Sequence, residues 1–442
     1  YYFNGNYSYD NKYLFQVMFR VDGSSQFGSN KRWAPFWSVG GGWSMHKEEF
    51  MSNLKWVNEL KPRISYGISG NLPGGAYEWA TMLASTTQYG GKVGLYSNYL
   101  GNPDLSWEET ATLDFGLDVR LFDRLSIVFD YYHKNVKNLI YLKHLPAVTG
   151  YNRQTANNGK MTNQGFEVTV TPEIIRTKDL YWDVSFNLGY NKNEITELPD
   201  VIKYTWGGGN GVDKTIVGQP YGSWMSYKAD GVFKTKQEVY EYLSKYDVQI
   251  GAPGVGRIRY KDLNGDNVIN TADMDWQGSD QPKFIGGLNI GASYKGFDLS
   301  AFFNGMIRDA WNNSKFYTDL FQGWTGNHSV RLMDAMHAWN DYEQTGVYNC
   351  DTPALTVVDN NVETRSSTFF IEDGSYVKLK TLTLGYTFPD KWIKKARLSN
   401  LRVYLQAQNV FTLTNYTGAD PEGLGYPYPQ PRTYTFGLSL GF

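Results

Sequence analysis

Apolar and polar residues alternate with a period of two through much of this chain, the pattern of strands with one apolar and one polar face. The last ten residues, TYTFGLSLGF, put Tyr434, Phe436, Leu438, Leu440 and Phe442 on one side and Thr433, Thr435, Gly437, Ser439 and Gly441 on the other. Leu113, Phe115, Leu117, Val119 and Leu121 alternate in the same way with Thr112, Asp114, Gly116, Asp118 and Arg120. Trp182, Val184, Phe186, Leu188 and Tyr190 alternate with Asp183, Ser185, Asn187 and Gly189. Charged groups on the second face would be costly in a dry core without partners; a water-filled lumen hydrates them. About thirteen such segments are found, near 2–9, 13–21, 36–43, 62–69, 111–121, 125–133, 166–172, 181–190, 284–294, 297–304, 376–388, 401–409 and 433–442. Most approach the ~9–11 residues with which a tilted strand crosses a bilayer.

The connections carry as much information as the strands. In chain order they are 10–12, 22–35, 44–61, 70–110, 122–124, 134–165, 173–180, 191–283, 295–296, 305–375, 389–400 and 410–432, and every second one is long. The weak case is 44–61, which exceeds 22–35; its HKEEFMSNLKWVNEL stretch predicts a short helix within a turn. Outer-membrane barrels have short periplasmic turns and long extracellular loops, whereas a soluble sandwich has no reason to sort its loops by parity. The reading is an all-β, transmembrane antiparallel β-barrel in the bacterial outer membrane. Phe442 then ends on the periplasmic side, and 191–283 and 305–375 are extracellular.

Composition fits this picture. Aromatics make up 16% of the 442 residues, with 34 Tyr, 24 Phe and 14 Trp, yet the mean hydropathy is only −0.47. Lipid-facing and water-facing positions in equal measure, with aromatic girdles, produce that mixture. The net charge of −2 gives a nucleic-acid partner no support. Cys350 is the single cysteine, and His46, His133, His144, His328 and His337 show no zinc spacing. The chain opens at Tyr1, without Met or a signal peptide and already inside a strand-like pattern, so further domains are expected upstream.

Several segments resemble the SusC/RagA branch of the TonB-dependent receptors. They include FRVDGSSQFGSNKRWAPFWSVGGGW (19–43), GNPDLSWEET (101–110), VGQPYGSWMSYKADGVFKTKQEV (217–239), EDGSYVKLKTLTLGYTFP (372–389) and LRVYLQAQNVFTLTNYTGADPE (401–422). The resemblance covers almost the whole chain, 1–442, as the C-terminal part of the barrel. It implies a barrel of about 22 strands, of which about thirteen lie here, with the plug domain and early strands upstream. It also implies active import of oligosaccharides or peptides, a SusD-like surface lipoprotein over the mouth, contact with the TonB complex through an upstream region, and surrounding outer-membrane lipids. A surface-binding or adhesin barrel that transports nothing is the alternative.

Local chemistry adds two candidates. Asp262, Asn264, Asp266, the Val268 carbonyl and Asp273 stand at positions 1, 3, 5, 7 and 12 of an EF-hand-type loop, which suits Ca2+ or another hard cation. Position 6 is Asn267 rather than Gly, though Asn tolerates a left-handed backbone. The same residues also suit a turn-rich loop held by side-chain-to-backbone bonds with no ion. Among loop aromatics, Tyr204, Trp206, Trp311 and Trp324 are candidates for stacking on substrate, although for any single ring packing between the loops or against a lid protein is the favoured reading. Glu108 and Glu109 point to opposite faces of a strand and cannot readily flank one bond. No nucleophile elbow or phosphate-binding loop is present, so the chain is read as non-enzymatic and without an organic cofactor.

Overall fold

A computed structural model describes residues 1–28, 30–72, 75–97, 99–198, 204–207, 213–312, 315, 331–354, 361–423 and 430–442. Thirteen long strands form one sheet: β1 Tyr2–Tyr9, β2 Tyr13–Gly23, β3 Trp33–Trp43, β4 Val57–Asn71, β5 Glu108–Leu121, β6 Leu125–Lys137, β7 Lys160–Arg176, β8 Leu180–Glu197, β9 Phe284–Tyr294, β10 Phe297–Ile307, β11 Tyr376–Thr387, β12 Asn400–Thr414 and β13 Thr433–Gly441. Their order in the sheet is their order in the chain. Each of the thirteen alternating segments seen in the sequence lies on one of these strands.

Short connections make this meander possible. At three of them consecutive residues adopt positive φ: Asp10 and Asn11, Phe122 and Asp123, Lys295 and Gly296. Tight hairpins use this backbone because it follows the right-handed twist of paired strands. Connection 44–56 differs from the expected helix. It folds as two 3-10 turns, Met45–Lys47 and Glu49–Met51. Its residues are tied back to the strands instead. Ser44 N–H donates to the Lys12 carbonyl at 2.7 Å, and Glu48 accepts from Tyr13 Oη at 2.8 Å and Trp43 Nε1 at 3.1 Å.

The register confirms the two faces. Ile64 pairs with Phe115 and Phe115 with Tyr131, so three strands carry one apolar row. These side chains are 56%, 43% and 42% exposed. A soluble sheet would bury such a row against a second layer, because exposed apolar patches of this extent invite association. Leu405 and Phe436 form a similar pair across β12 and β13 and are 59% and 71% exposed. Facing the acyl chains, the same side chains are in a favourable solvent.

The chain folds as two compact units. One comprises Tyr1–Tyr204, Ile216–Gln219 and Gly286–Leu299, the other Thr205–Thr215, Pro220–Ile285 and Ser300–Phe442. Within the first, the long connections are knitted together around Phe27, Phe36, Leu105 and Trp107. Asn157 clasps the Ser106 backbone on both sides, accepting from its N–H at 2.6 Å and donating to its carbonyl at 2.7 Å. The segment GNPDLSWEET is therefore a staple: Trp107 fills the small core, and Glu108 accepts the Ile140 N–H at 3.3 Å.

Candidate functional site

The polar face of β4–β6 carries a charged network. Arg63 donates to both oxygens of Asp118, with its Nη2–Oδ1 bond at 2.9 Å, and reaches Asp130 at 2.9 Å. Lys61 lies 3.7 Å from Asp118. Gly116 faces Arg63 on β4 and Asp130 on β6, and a Cβ there would lie 2.5 Å from the guanidinium carbon. The missing side chain is what lets the arginine cross the strand. Beside it, Asn6, Ser8, Gln16, Lys61 and Arg63 line a hollow of about 410 Å3 whose wall includes Gly40 and Gly42. Tyr7, Leu14, Phe15 and Ile64 complete its lining, so apolar surface is set beside the two cations.

In the second unit the two long connections fold onto each other among the described residues. Tyr227 N–H donates to the Ser366 carbonyl at 3.1 Å, Ala229 N–H to Thr368 Oγ1 at 2.9 Å and Tyr348 N–H to the Lys234 carbonyl at 2.8 Å. Three small cores hold this layer: Trp224–Trp311–Phe370, Tyr227–Ile258–Tyr260–Ile269, and Val232–Ala338–Tyr348–Ala354. Helix α1, Lys236–Lys245, is capped by Thr235, which accepts the Glu238 N–H. Helix α2, Arg331–Thr345, buries Ala335 and Ala338. Trp311 is 8% exposed and packs on Phe370 with ring centroids 5.1 Å apart. Its indole is thus largely held in this core. Tyr204 and Trp206 stand on a short strand, Tyr204–Gly207, while Trp324 lies outside the described residues.

The loop 262–273 is closed by its own side chains. Asp262 accepts from Gly265 and Asn267 N–H at 2.6 and 2.9 Å. Asn264 and Asp266 accept the Asp266 and Val268 N–H groups at 2.9 and 2.8 Å. Asp273, fully buried, joins the two ends by accepting from Leu263 and Asn270 N–H, both at 2.9 Å. Asn267 has φ +61°, the left-handed backbone the motif needs at its sixth position. Burial pushes the Asp262 carboxyl up, but the N–H groups of Asn267, Gly265 and Asp266 outweigh it and hold the group below the ordinary range. Among the described residues no three His, Cys, Asp or Glu side chains gather as a metal set. An ion here would therefore draw on Asn264 and the Val268 carbonyl as well.

One cluster was missed in the sequence. Lys378, 3% exposed on β11, donates to Asp420 at 2.6 Å and Glu422 at 3.0 Å. Lys380 holds Glu422 at 2.6 Å, and Arg308 donates to the Pro421 and Glu422 carbonyls. Burial pushes the Asp420 and Glu422 carboxyls up, but hydrogen bonds from the lysines outweigh it and leave both below their ordinary values. The paired lysines of VKLK and the acids of TGADPE were visible, but nothing in their separation says that they meet.

A family model described as TonB dependent receptor-like, beta-barrel matches residues 1–410. The chain belongs to this family. Among relatives of this TonB-dependent receptor, receptor P3 of Formosa agariphila is 33% identical and aligns with 99% of the chain and 45% of its own length. SusC of Bacteroides thetaiotaomicron is 29% identical, covering 99% of the chain and 43% of itself. The RagAB peptide transporter superposes with a TM-score of 0.81 at 27% identity, over all of the chain and 47% of the solved one. The chain thus spans less than half the length of the relatives it matches. Its SusC/RagA-type character places it in the outer membrane, with the apolar rows toward lipid and the Arg63 face toward the lumen.

Proposed function

We propose that this receptor chain is the C-terminal wall of a TonB-coupled importer for an oligosaccharide or a peptide. The observation that carries this reading is the match of the whole chain, strands and loops together, to a solved peptide transporter at a TM-score of 0.81. The kinship with SusC supports the same reading. In this view an upstream plug fills the lumen against the wetted face that bears Arg63, Lys61 and Gln16. The layer built from 220–285 and 361–375 is self-supporting, so it can hold a fixed shape toward a SusD-like lipoprotein and toward substrate. Tyr204, Trp206 and Trp324 are the rings proposed to meet substrate; Trp311 is proposed to support them from the layer's core. The loop 262–273 is proposed to take Ca2+, because Asp262, Asn264, Asp266, the Val268 carbonyl and Asp273 keep the spacing of a calcium loop and Asn267 adopts the left-handed backbone that the loop needs at its sixth position.

The test is uptake. Deleting the gene should abolish growth on one member of a panel of glycans and peptides, and a lipoprotein should copurify in mild detergent. Normal growth on every member, with no lipoprotein retained, would favour the surface-binding alternative.

A further inference from the structure

We infer that the turn 388–399 is a binding site for a net-anionic phospholipid in the periplasmic leaflet. The apolar face of β11–β13 is continuous across the three strands. Leu382, Leu384 and Tyr386 register with Ala407, Leu405 and Val403, which in turn register with Tyr434, Phe436 and Leu438. This apolar field does not stop at the end of β11. Phe388 continues the column, with its ring 5.0 Å from Tyr386, and Trp392 follows, 6.3 Å from Phe388. Trp392 is 63% exposed. An exposed indole at the end of a lipid-facing column is placed at the level of the headgroups, where amphipathic rings are most stable.

Cations crowd the same turn. Lys391, Lys394, Lys395 and Arg397 are all exposed, against one acid, Asp390. Four positive charges less one negative leave a net charge of +3. Asp390 pairs with Lys394 at 3.3 Å. Lys391, Lys395 and Arg397 carry no ion pair among the described residues. The backbone fixes their display. Asp390–Ile393 is a helical turn and Lys394–Ala396 a 3-10 turn, pinned by Ile393, which is 4% exposed. Arg397 then closes the turn at φ +59°, with its N–H on the Lys394 carbonyl at 3.1 Å. A left-handed backbone favours Gly or Asn and costs other residues energy, yet an arginine stands there.

Like charges held this close repel unless anions lie among them. The anion available beside a headgroup-level tryptophan is a lipid phosphate. A zwitterionic headgroup cancels its phosphate with an ammonium, so the turn selects lipids whose headgroup is net negative, such as phosphatidylglycerol. Each cation near a membrane surface contributes about a fivefold gain in binding to such lipid.

The test uses the full-length receptor in nanodiscs of phosphatidylethanolamine containing phosphatidylglycerol, with lipids retained after detergent extraction identified by native mass spectrometry. The triple variant Lys391→Gln, Lys395→Gln, Arg397→Gln should lose retained phosphatidylglycerol by more than tenfold, and Trp392→Ala should weaken retention of both lipids. The control Lys236→Gln, on α1 in the loop layer, should retain as much as the parent. Equal phosphatidylglycerol retention by the triple variant and the parent would overturn the proposal. So would unchanged retention accompanied by lost uptake, which would assign the turn to a periplasmic protein instead.

Discussion

Arg63 on β4 reaches Asp130 on β6 at 2.9 Å, two strands away, by lying over Gly116. Three strands are thereby joined by one guanidinium on the wetted face, and the joint depends on a residue that contributes no atom to it. Replacing Gly116 by Val should push the guanidinium off Asp130 and weaken its hold on Asp118. The partners are about a quarter exposed, so the expected cost is ~1–2 kcal/mol. A lowered unfolding temperature in detergent, with Asp130→Asn giving a smaller drop in the same direction, would check this. An unchanged temperature in Gly116→Val would show that the bridge carries no stability.

The two faces of β8 give a second prediction. Phe186→Arg places a charge among acyl chains and should cost about 2–4 kcal/mol, reducing assembled protein at the cell surface. Asn187→Ser, the next residue and on the opposite face, should assemble normally. Comparable surface levels for both variants would contradict the assignment of faces.

The clamp on 420–422 should respond to acid. Asp420 and Glu422 titrate below their ordinary values of 3.8 and 4.5, so their contribution is complete above those values. It is lost as the pH falls through the lower folded-state values. Hydrogen exchange of Gly418–Glu422 should therefore stay slow at neutral and mildly acid pH and quicken below about pH 4. Lys378→Ala should release the segment at all pH values and cost about 3 kcal/mol, because it strands a buried carboxylate.

Calcium gives the fourth. Millimolar Ca2+ should raise the unfolding temperature of the parent, and Asp262→Asn with Asp266→Asn should abolish that rise while leaving the chain folded. Asp273→Ala should destabilise the loop with or without calcium, since its oxygens join Leu263 to Asn270. A parent whose melting ignores calcium and chelator alike would leave 262–273 as a loop closed by side chains alone.

Period-two alternation located every strand of the large sheet, because one lipid face and one wetted face impose it residue by residue. The ends were less legible. β4 begins at Val57 rather than near 62, since Glu59, Lys61 and Pro62 interrupt the alternation before Arg63. Pro35 likewise hid the start of β3 at Trp33. The left-handed Asn267 followed from the loop motif alone. Contacts between distant segments did not: Lys378 with Asp420, Tyr227 with Ser366 and Arg63 with Asp130 depend on register and loop packing, which composition does not encode. Trp311 illustrates the limit for aromatics, whose type fits a binding face and a core equally well.

The meander has a consequence for how the wall is made. Within this sheet each strand's hydrogen-bonded neighbours are its neighbours in the chain, so these thirteen strands can be added one hairpin at a time. The tempo is then set by the gaps. Closing a flexible loop of ~90 residues costs about 3 kcal/mol more than closing one of three, by the logarithmic dependence on length. Connections 198–283 and 308–375 are where such growth would pause. Because their described residues collapse into small cores of their own, the pause shortens if the layer forms early, and mutations in Phe370 or Tyr348 would then be felt first as slow assembly of the wall.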